Sequence, residues 1–143
     1  FFFFVLAGED PIDHVQRKAL AARDLHPLVR RVTQIHVTEE ARHVAFANAF
    51  LADRVPRLSP ARRVALAAAI PLILAFMARV MLRPQADVVA AHAIPERVLV
   101  EAYSLASPLY RRQVIDSLAG IRELCQKLGL YHPAVWRALK VAA

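Results

Sequence analysis

The sequence predicts an all-α fold from its composition, its apolar spacing and its prolines. Glycine is scarce, with 3 residues in 143, and the β-branched residues are scattered rather than alternating along the chain. The 9 prolines fall where helices would begin, end or kink. With 57% hydrophobic residues, the chain can build the core of one domain, and global disorder is excluded.

The individual helices follow from apolar periodicity and from residues that start or stop helices. We expect helices over residues 1–21, 27–53, 61–82, 86–91, 95–106 and 108–128, and a last short helix that holds Trp136 and Leu139. Pro27, Ser59–Pro60 and Ser107–Pro108 are start signals, because serine caps a helix and proline suits its first position. Gly129 is the expected stop of the helix before it.

We interpret residues 1–143 as a fragment that forms a single domain. Residues 1–82 would hold the ligand-bearing helices and a third core helix, and residues 83–143 a C-terminal helical extension. Residues 64–78 carry no charge, but this stretch is shorter than the roughly 20 residues that span a bilayer. A helix buried on most sides is therefore favoured over a membrane-associated one.

Charge and cysteine content narrow the function classes. The net charge of +7 comes from cations spread in ones and twos, without a basic run or interleaved aromatic residues, which disfavours nucleic-acid binding. A single cysteine, Cys125, excludes an intrachain disulfide and fits a reducing, cytoplasmic compartment. Its helical spacing from Leu118 and Ile121 predicts a buried, inert thiol.

The chemistry lies in the second helix, where His36, Glu40 and His43 stand at positions i, i+4 and i+7. At about 100° per residue, all of them project from one helix face. The row continues at helical spacing in apolar residues, namely Val29, Val32, Ala47 and Phe50. Imidazoles and a carboxylate in an apolar row are costly unless they are paired or coordinate a metal. The spacing alone leaves open a metal site and a partly solvated ion-paired face.

A facing ligand is available on the first helix. Di-iron bundles take a single Glu from each of two helices and a Glu-x-x-His from each of the other two. Glu40 and His43 supply one Glu-x-x-His, and Glu9 precedes His36 by enough residues for the first helix to turn and bring Glu9 alongside. A zinc hydrolase is disfavoured, because its motif needs histidine where Glu39 stands.

These residues also resemble a known family. The segments Glu9–Asp13, His26–Leu28 and Ile35–Phe46 are similar to the C-terminal half of the ferritin-like di-iron oxygenases of the p-aminobenzoate N-oxygenase type. The likeness is sharpest over residues 9–50, and extends more loosely to Trp136 and Arg137.

The resemblance implies a ferritin-like helical bundle that binds two iron ions and uses O2 to oxygenate a small organic substrate, such as the nitrogen of an arylamine. It implies Glu9, His36, Glu40 and His43 as iron ligands. From ligand chemistry, Glu40, between the two histidines, is expected to be the bridging, catalytic carboxylate, and Asp13, one turn from Glu9, to orient a ligand imidazole. An external electron donor would be a partner. We expect no nucleic-acid or membrane partner, and a homodimer remains open.

One departure from the family is that Glu40 is the only glutamate followed three residues later by histidine. The second Glu-x-x-His and the other single Glu, which this family has on earlier helices, are not present in the chain. We therefore expect a fragment with two of the four metal-bearing helices, inactive alone, or a partner that supplies the rest. In that case the face of residues 1–6 and the row of His36 and His43 should be unusually exposed. The alternatives are a metal-free helical interaction protein and a membrane-associated helical protein.

Overall fold

In the computed structural model, which describes residues 1–142, the chain forms helices joined by short connections and contains no β-strand. The helices are α1 (Phe2–Leu20), α2 (Pro27–Arg54), α3 (Pro60–Met81), α4 (Ala86–Ala91), α5 (Glu96–Tyr103), α6 (Pro108–Ser117), α7 (Ala119–Lys127) and α8 (Pro133–Ala138). A 3₁₀ turn, Val55–Arg57, links α2 to α3. The all-α prediction is confirmed, and the first four helices begin and end within one residue of their expected limits.

Helices α1 and α2 form an antiparallel hairpin. The turn between them is set by His26, whose Nδ1 accepts a hydrogen bond from the backbone N–H of Leu28 at 3.2 Å, and by Pro27 at the first helical position. Phe2 packs on Phe50 at one end of the pair, with ring centroids 4.5 Å apart. This hairpin fixes which residues of α1 face which residues of α2.

Helix α1 is the central element of the fold. One side packs along α2, and other sides contact α3, α6 and α7. Its buried residues Phe3, Leu6 and Ala7 join a core with Leu74 of α3 and Trp136 of α8, and Pro11 is also buried. Of the face predicted to be exposed, Phe1 and Phe4 are exposed but Phe3 and Leu6 are buried, so that expectation is only half right.

The helix predicted over residues 108–128 is in fact two helices, α6 and α7, separated at Leu118. The backbone N–H of Ile121, in the first turn of α7, donates to Asp10 Oδ2 of α1 at 3.2 Å. A Cβ atom on Gly120 would lie 2.7 Å from the same oxygen, so a larger residue would displace the carboxylate from this position. A carboxylate from another helix therefore caps α7 where no local capping side chain is found.

Two other helix ends test the expected stop signals. Gly129 has φ +66°, and Leu130 N–H donates to Cys125 O at 2.8 Å, so the predicted stop at Gly129 is confirmed as a left-handed C-terminal cap. Helix α5 ends at Tyr103 rather than near residue 106, because Ser104 is extended and its hydroxyl accepts from the N–H of Ala106.

The expectation that α3 is buried on most sides is wrong for this chain. Its buried residues, Ile70, Pro71, Leu74 and Ala78, lie along one side. An apolar stripe on another side is exposed, comprising Leu72, Phe76 and Val80. The region Pro60–Ala91 is long and apolar enough to cross a membrane by length and composition, a test that core helices of soluble proteins also pass.

Cys125 is fully buried, as its spacing predicted. Burial raises the pKa of its thiol to about 12. The side chain therefore serves as a small apolar group in the core.

Candidate metal centre

The buried face of α2 is an apolar line interrupted by one carboxylate. Val37, Ala47 and Leu51 are buried, and Glu40 lies on the same line with 9% of its surface exposed. The histidines flank this line, and the side chains of His36 and His43 are 49% and 63% exposed. The predicted exposure of the two histidines is thus confirmed.

The row predicted from Val29 to Phe50 is only partly buried, since Glu40 and Ala47 are covered and its other members are exposed. Val29 and Phe50 are exposed to 48% and 36%, and the helix turns the adjacent positions toward α1 instead. Packing against α1 rather than local apolar content decides which of the two neighbouring rows is covered.

Across the hairpin, side chains of both helices form what we call the polar ladder. It consists of Glu9, Asp13 and Gln16 on α1 and of His36, Glu40 and His43 on α2. On each helix these side chains occupy positions i, i+4 and i+7. Because the helices are antiparallel, the first residue of each set lies opposite the last of the other, and the two middle residues lie opposite each other.

Distances define the two ends of the ladder. At one end, His43 Nδ1 lies 3.3 Å from Glu9 Oε1. At the other end, His36 Nδ1 lies 3.2 Å from Glu40 Oε1 and within 3.0 Å of the side-chain amide of Gln16. Two imidazoles on α2 are therefore each held near a carboxylate.

Between these ends lie three carboxylate oxygens with unmet hydrogen-bonding capacity. Glu9 Oε2, Asp13 Oδ1 and Glu40 Oε2 are buried and have no hydrogen-bond partner among residues 1–142. The other oxygen of Asp13 accepts from Arg17 Nε at 2.6 Å. Buried carboxylate oxygens without partners are costly, and a bound cation is a usual way to satisfy them.

The electrostatics of Glu40 follow from this arrangement. Burial is the largest effect, and it raises the pKa of the Glu40 carboxyl above its ordinary value. The carboxylates of Glu9 and Asp13 raise this pKa further, while His36 and His43 oppose the rise. A cation at the ladder would reverse this balance, because it favours the ionised form of every carboxylate around it.

The donor atoms come together in pairs rather than as a complete coordination sphere. Over the described part of the chain, no three His, Cys, Asp or Glu side chains converge closely enough to hold a metal ion. Two donors about 2.1 Å from one ion and at right angles to each other lie about 3 Å apart. The 3.3 Å between His43 Nδ1 and Glu9 Oε1 therefore fits neighbouring ligands of an ion as well as a simple ion pair.

All the residues singled out from the sequence lie at this ladder. Glu9, His36, Glu40 and His43 are its donors, and Asp13 stands beside them. Gln16 was not among the candidate site residues, although its spacing from Glu9 and Asp13 mirrors that of the three residues on α2 and could have indicated it. A cavity of about 980 Å³ lies between α6 and the C-terminal residues, and none of these side chains lines it.

An aromatic cluster adjoins the ladder on its open side. Phe46 follows His43 by one turn, and its ring lies 5.6 Å from that of Phe2. Phe50 completes the cluster, and the guanidinium of Arg54 lies 5.6 Å from its ring centre. Phe46 is 60% exposed, so apolar aromatic surface lies next to the candidate ligands.

Comparison with known proteins assigns the chain to a family. The family described as p-aminobenzoate N-oxygenase AurF matches residues 1–129. The chain belongs to this family. Its fold is accordingly an all-α, ferritin-like bundle, and the resemblance noted from the sequence motifs is confirmed.

Curated relatives are similar over nearly the whole chain. An uncharacterized protein of Mycobacterium tuberculosis (strain CDC 1551 / Oshkosh) is 39% identical over 145 residues, which cover 99% of this chain and 42% of the relative. An uncharacterized protein of Mycobacterium bovis (strain ATCC BAA-935 / AF2122/97) is 38% identical with the same coverage. The chain thus spans about two-fifths of the length of these relatives. No solved structure matches it.

Proposed function

We propose that the polar ladder is one wall of a di-iron centre in an oxygenase that uses O2 to oxidise a small organic substrate. Glu9, His36, Glu40 and His43 are the iron ligands in this proposal. Membership in the AurF family supports the reaction class. The observation that carries it in this chain is the set of three buried, unpartnered carboxylate oxygens beside two imidazoles.

The donor types suit iron. Neutral imidazole and carboxylate are the ligands of non-haem iron sites, and bound iron would supply O2 activation and electron transfer. Glu40 would be the bridging carboxylate, a role supported by its position between the two histidines along α2 and by its unpartnered Oε2. One oxygen of Asp13 accepts a hydrogen bond from Arg17, and the other lies in the polar ladder without a partner. In this proposal Asp13 orients the neighbouring ligands.

This chain carries only part of such a centre. It contains one Glu-x-x-His, whereas a di-iron bundle needs two together with two further glutamates. We propose that the remaining ligands come from protein outside residues 1–143, and that they cover the exposed side of His36 and His43. The chain alone would then be inactive. The division into residues 1–82 and 83–143 also stays a proposal.

The substrate and the partners are proposed at a coarser level. A small molecule is expected, with the nitrogen of an arylamine as one candidate, and the exposed rings of Phe46 and Phe50 beside the ladder suit an aromatic substrate. Turnover requires an external electron donor. A cytoplasmic enzyme without membrane or nucleic-acid partners, and with the homodimer still open, remains our expectation.

Metal analysis of the full-length protein that carries this chain tests the proposal. After anaerobic loading with ferrous iron and removal of excess metal, we expect about two irons per chain. Glu40→Ala and His43→Ala should each lose most of this iron, because each removes a donor from the ladder. O2 uptake with a chemical reductant and an arylamine should fall in the same variants.

Matched controls separate ligand loss from general damage. Glu39→Ala removes an exposed carboxylate next to Glu40, and His92→Ala removes an exposed imidazole in a remote turn. Both should retain wild-type iron content. A well-folded protein that holds no iron would overturn the oxygenase proposal and favour the alternative of a metal-free helical interaction protein, for which the exposed apolar residues of α2 and α3 would be binding surface.

A further inference from the structure

Gln16 stands opposite His36 in the polar ladder, in the place where Glu9 stands opposite His43. Both atoms of its amide group lie close to His36 Nδ1, with Nε2 at 3.0 Å and Oε1 at 3.1 Å. Distance therefore does not decide which atom of the amide faces the ring. The chemistry of the neighbouring group decides it.

The neighbouring group is the carboxylate of Glu40, whose Oε1 lies 3.2 Å from the same Nδ1. An unprotonated Nδ1 would direct a lone pair at a carboxylate oxygen, which is repulsive, whereas a protonated Nδ1 can donate to it. The contact with the ionised Glu40 carboxylate therefore favours the tautomer that carries its proton on Nδ1 of His36. The amide of Gln16 must then present its oxygen, which is its only acceptor.

A neutral imidazole with its proton on Nδ1 keeps its lone pair on Nε2. Within residues 1–142, no hydrogen bond engages Nε2 of His36. Metal-binding histidines commonly donate their other ring N–H to a fixed acceptor, which sets the tautomer and the ring orientation. The contact between His36 Nδ1 and the amide oxygen of Gln16 on α1 has this form.

We propose that Gln16 is a positioning residue for His36. Its amide oxygen accepts the Nδ1–H of His36, restrains the half-exposed ring against α1 and leaves Nε2 as the metal donor. This inference rests on the proposed function, because it concerns how one ligand of that site is presented. A neutral amide does this without adding a fourth carboxylate to Glu9, Asp13 and Glu40, which already repel one another.

The first test reads the tautomer directly. In ¹⁵N-labelled, metal-free full-length protein, we expect the neutral form of His36 to carry its proton on Nδ1 rather than on Nε2. In Gln16→Leu, this tautomer should lose its preference or the ring should become mobile, because the cross-helix acceptor is gone. A wild-type His36 with an unprotonated Nδ1 would overturn the inference whatever the metal content of the protein.

The second test measures metal affinity and the ligand field with Co²⁺ as the probe. Gln16→Leu should weaken Co²⁺ binding about 10- to 100-fold, the usual cost of losing such a partner. Gln16→Glu keeps an acceptor oxygen and should restore affinity while shifting the visible Co²⁺ absorption, because a carboxylate makes the imidazole more basic. Gln34→Leu, an exposed glutamine on α2, is the matched control and should change neither quantity.

The outcomes distinguish the two proposals. If the wild-type protein binds no Co²⁺ or Fe²⁺, the di-iron proposal fails, and with it the role of Gln16 toward a metal. If the wild-type protein binds metal and Gln16→Leu leaves affinity and spectrum unchanged, only the role of Gln16 fails. Weakened binding in Gln16→Leu that Gln16→Glu restores supports both.

Discussion

Glu40 is a buried carboxylate that destabilises the metal-free protein and is also a proposed metal ligand. It occupies a position on α2 that neighbouring turns fill with Val37 and Ala47, and it faces two other carboxylates across the hairpin. An ionised carboxylate in such a place lowers the stability of the metal-free protein. Bound metal would offset that cost, which is the physical reason to expect a charged residue there.

Replacing Glu40 by glutamine should stabilise the metal-free protein near neutral pH. The folded-state pKa of Glu40 lies above its ordinary value, so the folded state binds its proton more tightly than the unfolded state does. Stability is then lost as pH rises from the unfolded pKa through the folded one, and this loss persists at neutral pH. In urea denaturation at pH 7, we expect Glu40→Gln to raise the free energy of unfolding and to flatten its fall as the pH rises above the ordinary carboxyl range.

Glu39→Gln is the control for that substitution, since Glu39 is exposed on the same turn. It should leave both the stability and its pH dependence unchanged. Lower stability of metal-free Glu40→Gln at neutral pH would show that the carboxylate is satisfied within the protein and does not need a cation.

Cys125 should be unreactive in the folded protein. Its thiol is fully buried and has a pKa of about 12, so at pH 8 only about one molecule in 10⁴ carries the thiolate. A chromogenic disulfide reagent should therefore modify it slowly in buffer and rapidly in concentrated guanidinium chloride. Rapid labelling in buffer would indicate that α7 opens readily from the core.

At the scale of elements, the contact between α1 and the start of α7 connects the candidate site to the C-terminal helices. Glu9 and Asp10 are adjacent, and they point to different partners: Glu9 meets His43 on α2, and Asp10 accepts from Ile121 at the start of α7. Burial is the main reason that the pKa of Asp10 is raised, and the Ile121 N–H opposes that rise. The rotation of α1 about its axis that turns Glu9 toward α2 therefore also turns Asp10 toward the start of α7, so one orientation of α1 serves both contacts.

Gly120→Ala should destabilise the protein by about 1–3 kcal/mol, because the new Cβ would lie 2.7 Å from Asp10 Oδ2, and the displaced carboxylate would lose its hydrogen bond from the Ile121 N–H. Gly8→Ala is the matched control. Its Cβ would meet Met77 at an ordinary 3.6 Å, and alanine inside α1 should be neutral or stabilising by up to about 1 kcal/mol.

A double-mutant cycle assigns the cause of that effect. In an Asp10→Ala background, Gly120→Ala should cost clearly less than in the wild type, since the carboxylate that it displaces is gone. Equal costs in both backgrounds would show that the crowding at Gly120 arises elsewhere. Chemical denaturation followed by circular dichroism measures all of these variants.

At the scale of the whole molecule, two apolar surfaces remain uncovered. One lies on α2 around Phe46 and Phe50, next to the polar ladder, and the other is the stripe of α3 that includes Leu72 and Phe76. Monomeric soluble proteins rarely expose contiguous apolar surface of this kind. Both surfaces are therefore expected to be covered in the assembled protein.

The chain produced alone as residues 1–143 should bind a hydrophobic dye and self-associate in light-scattering measurements. Replacing Leu72 and Phe76 by glutamate should reduce both effects, because charge makes burial of that stripe unfavourable. Flotation with lipid vesicles separates the remaining possibility: partition of the full-length protein into the vesicles would favour the membrane-associated alternative. A monomeric chain 1–143 without dye binding would contradict the expectation of uncovered surfaces.

Much of the fold could be predicted because helix signals are local. Pro27, Pro108 and Gly129 mark helix ends through their own backbone geometry, and the structure follows them closely. The break at Leu118 could not be predicted, since it depends on Asp10, which lies 111 residues from the N–H that it accepts. The exposed side of α3 was likewise missed, because apolar composition does not tell whether a helix has neighbours on every side.

The sequence by itself determined that the chain is helical and that His36, Glu40 and His43 share one helix face, because a period of about 3.6 residues fixes both. It also indicated Glu9 as the facing residue. Only the tertiary structure decided the pairings across the hairpin and the burial of Glu40 rather than the histidines. It also decided the place of Gln16 beside His36. These features depend on the rotation and register of α1 against α2, which arise from packing between segments distant in sequence and leave no local periodic signal.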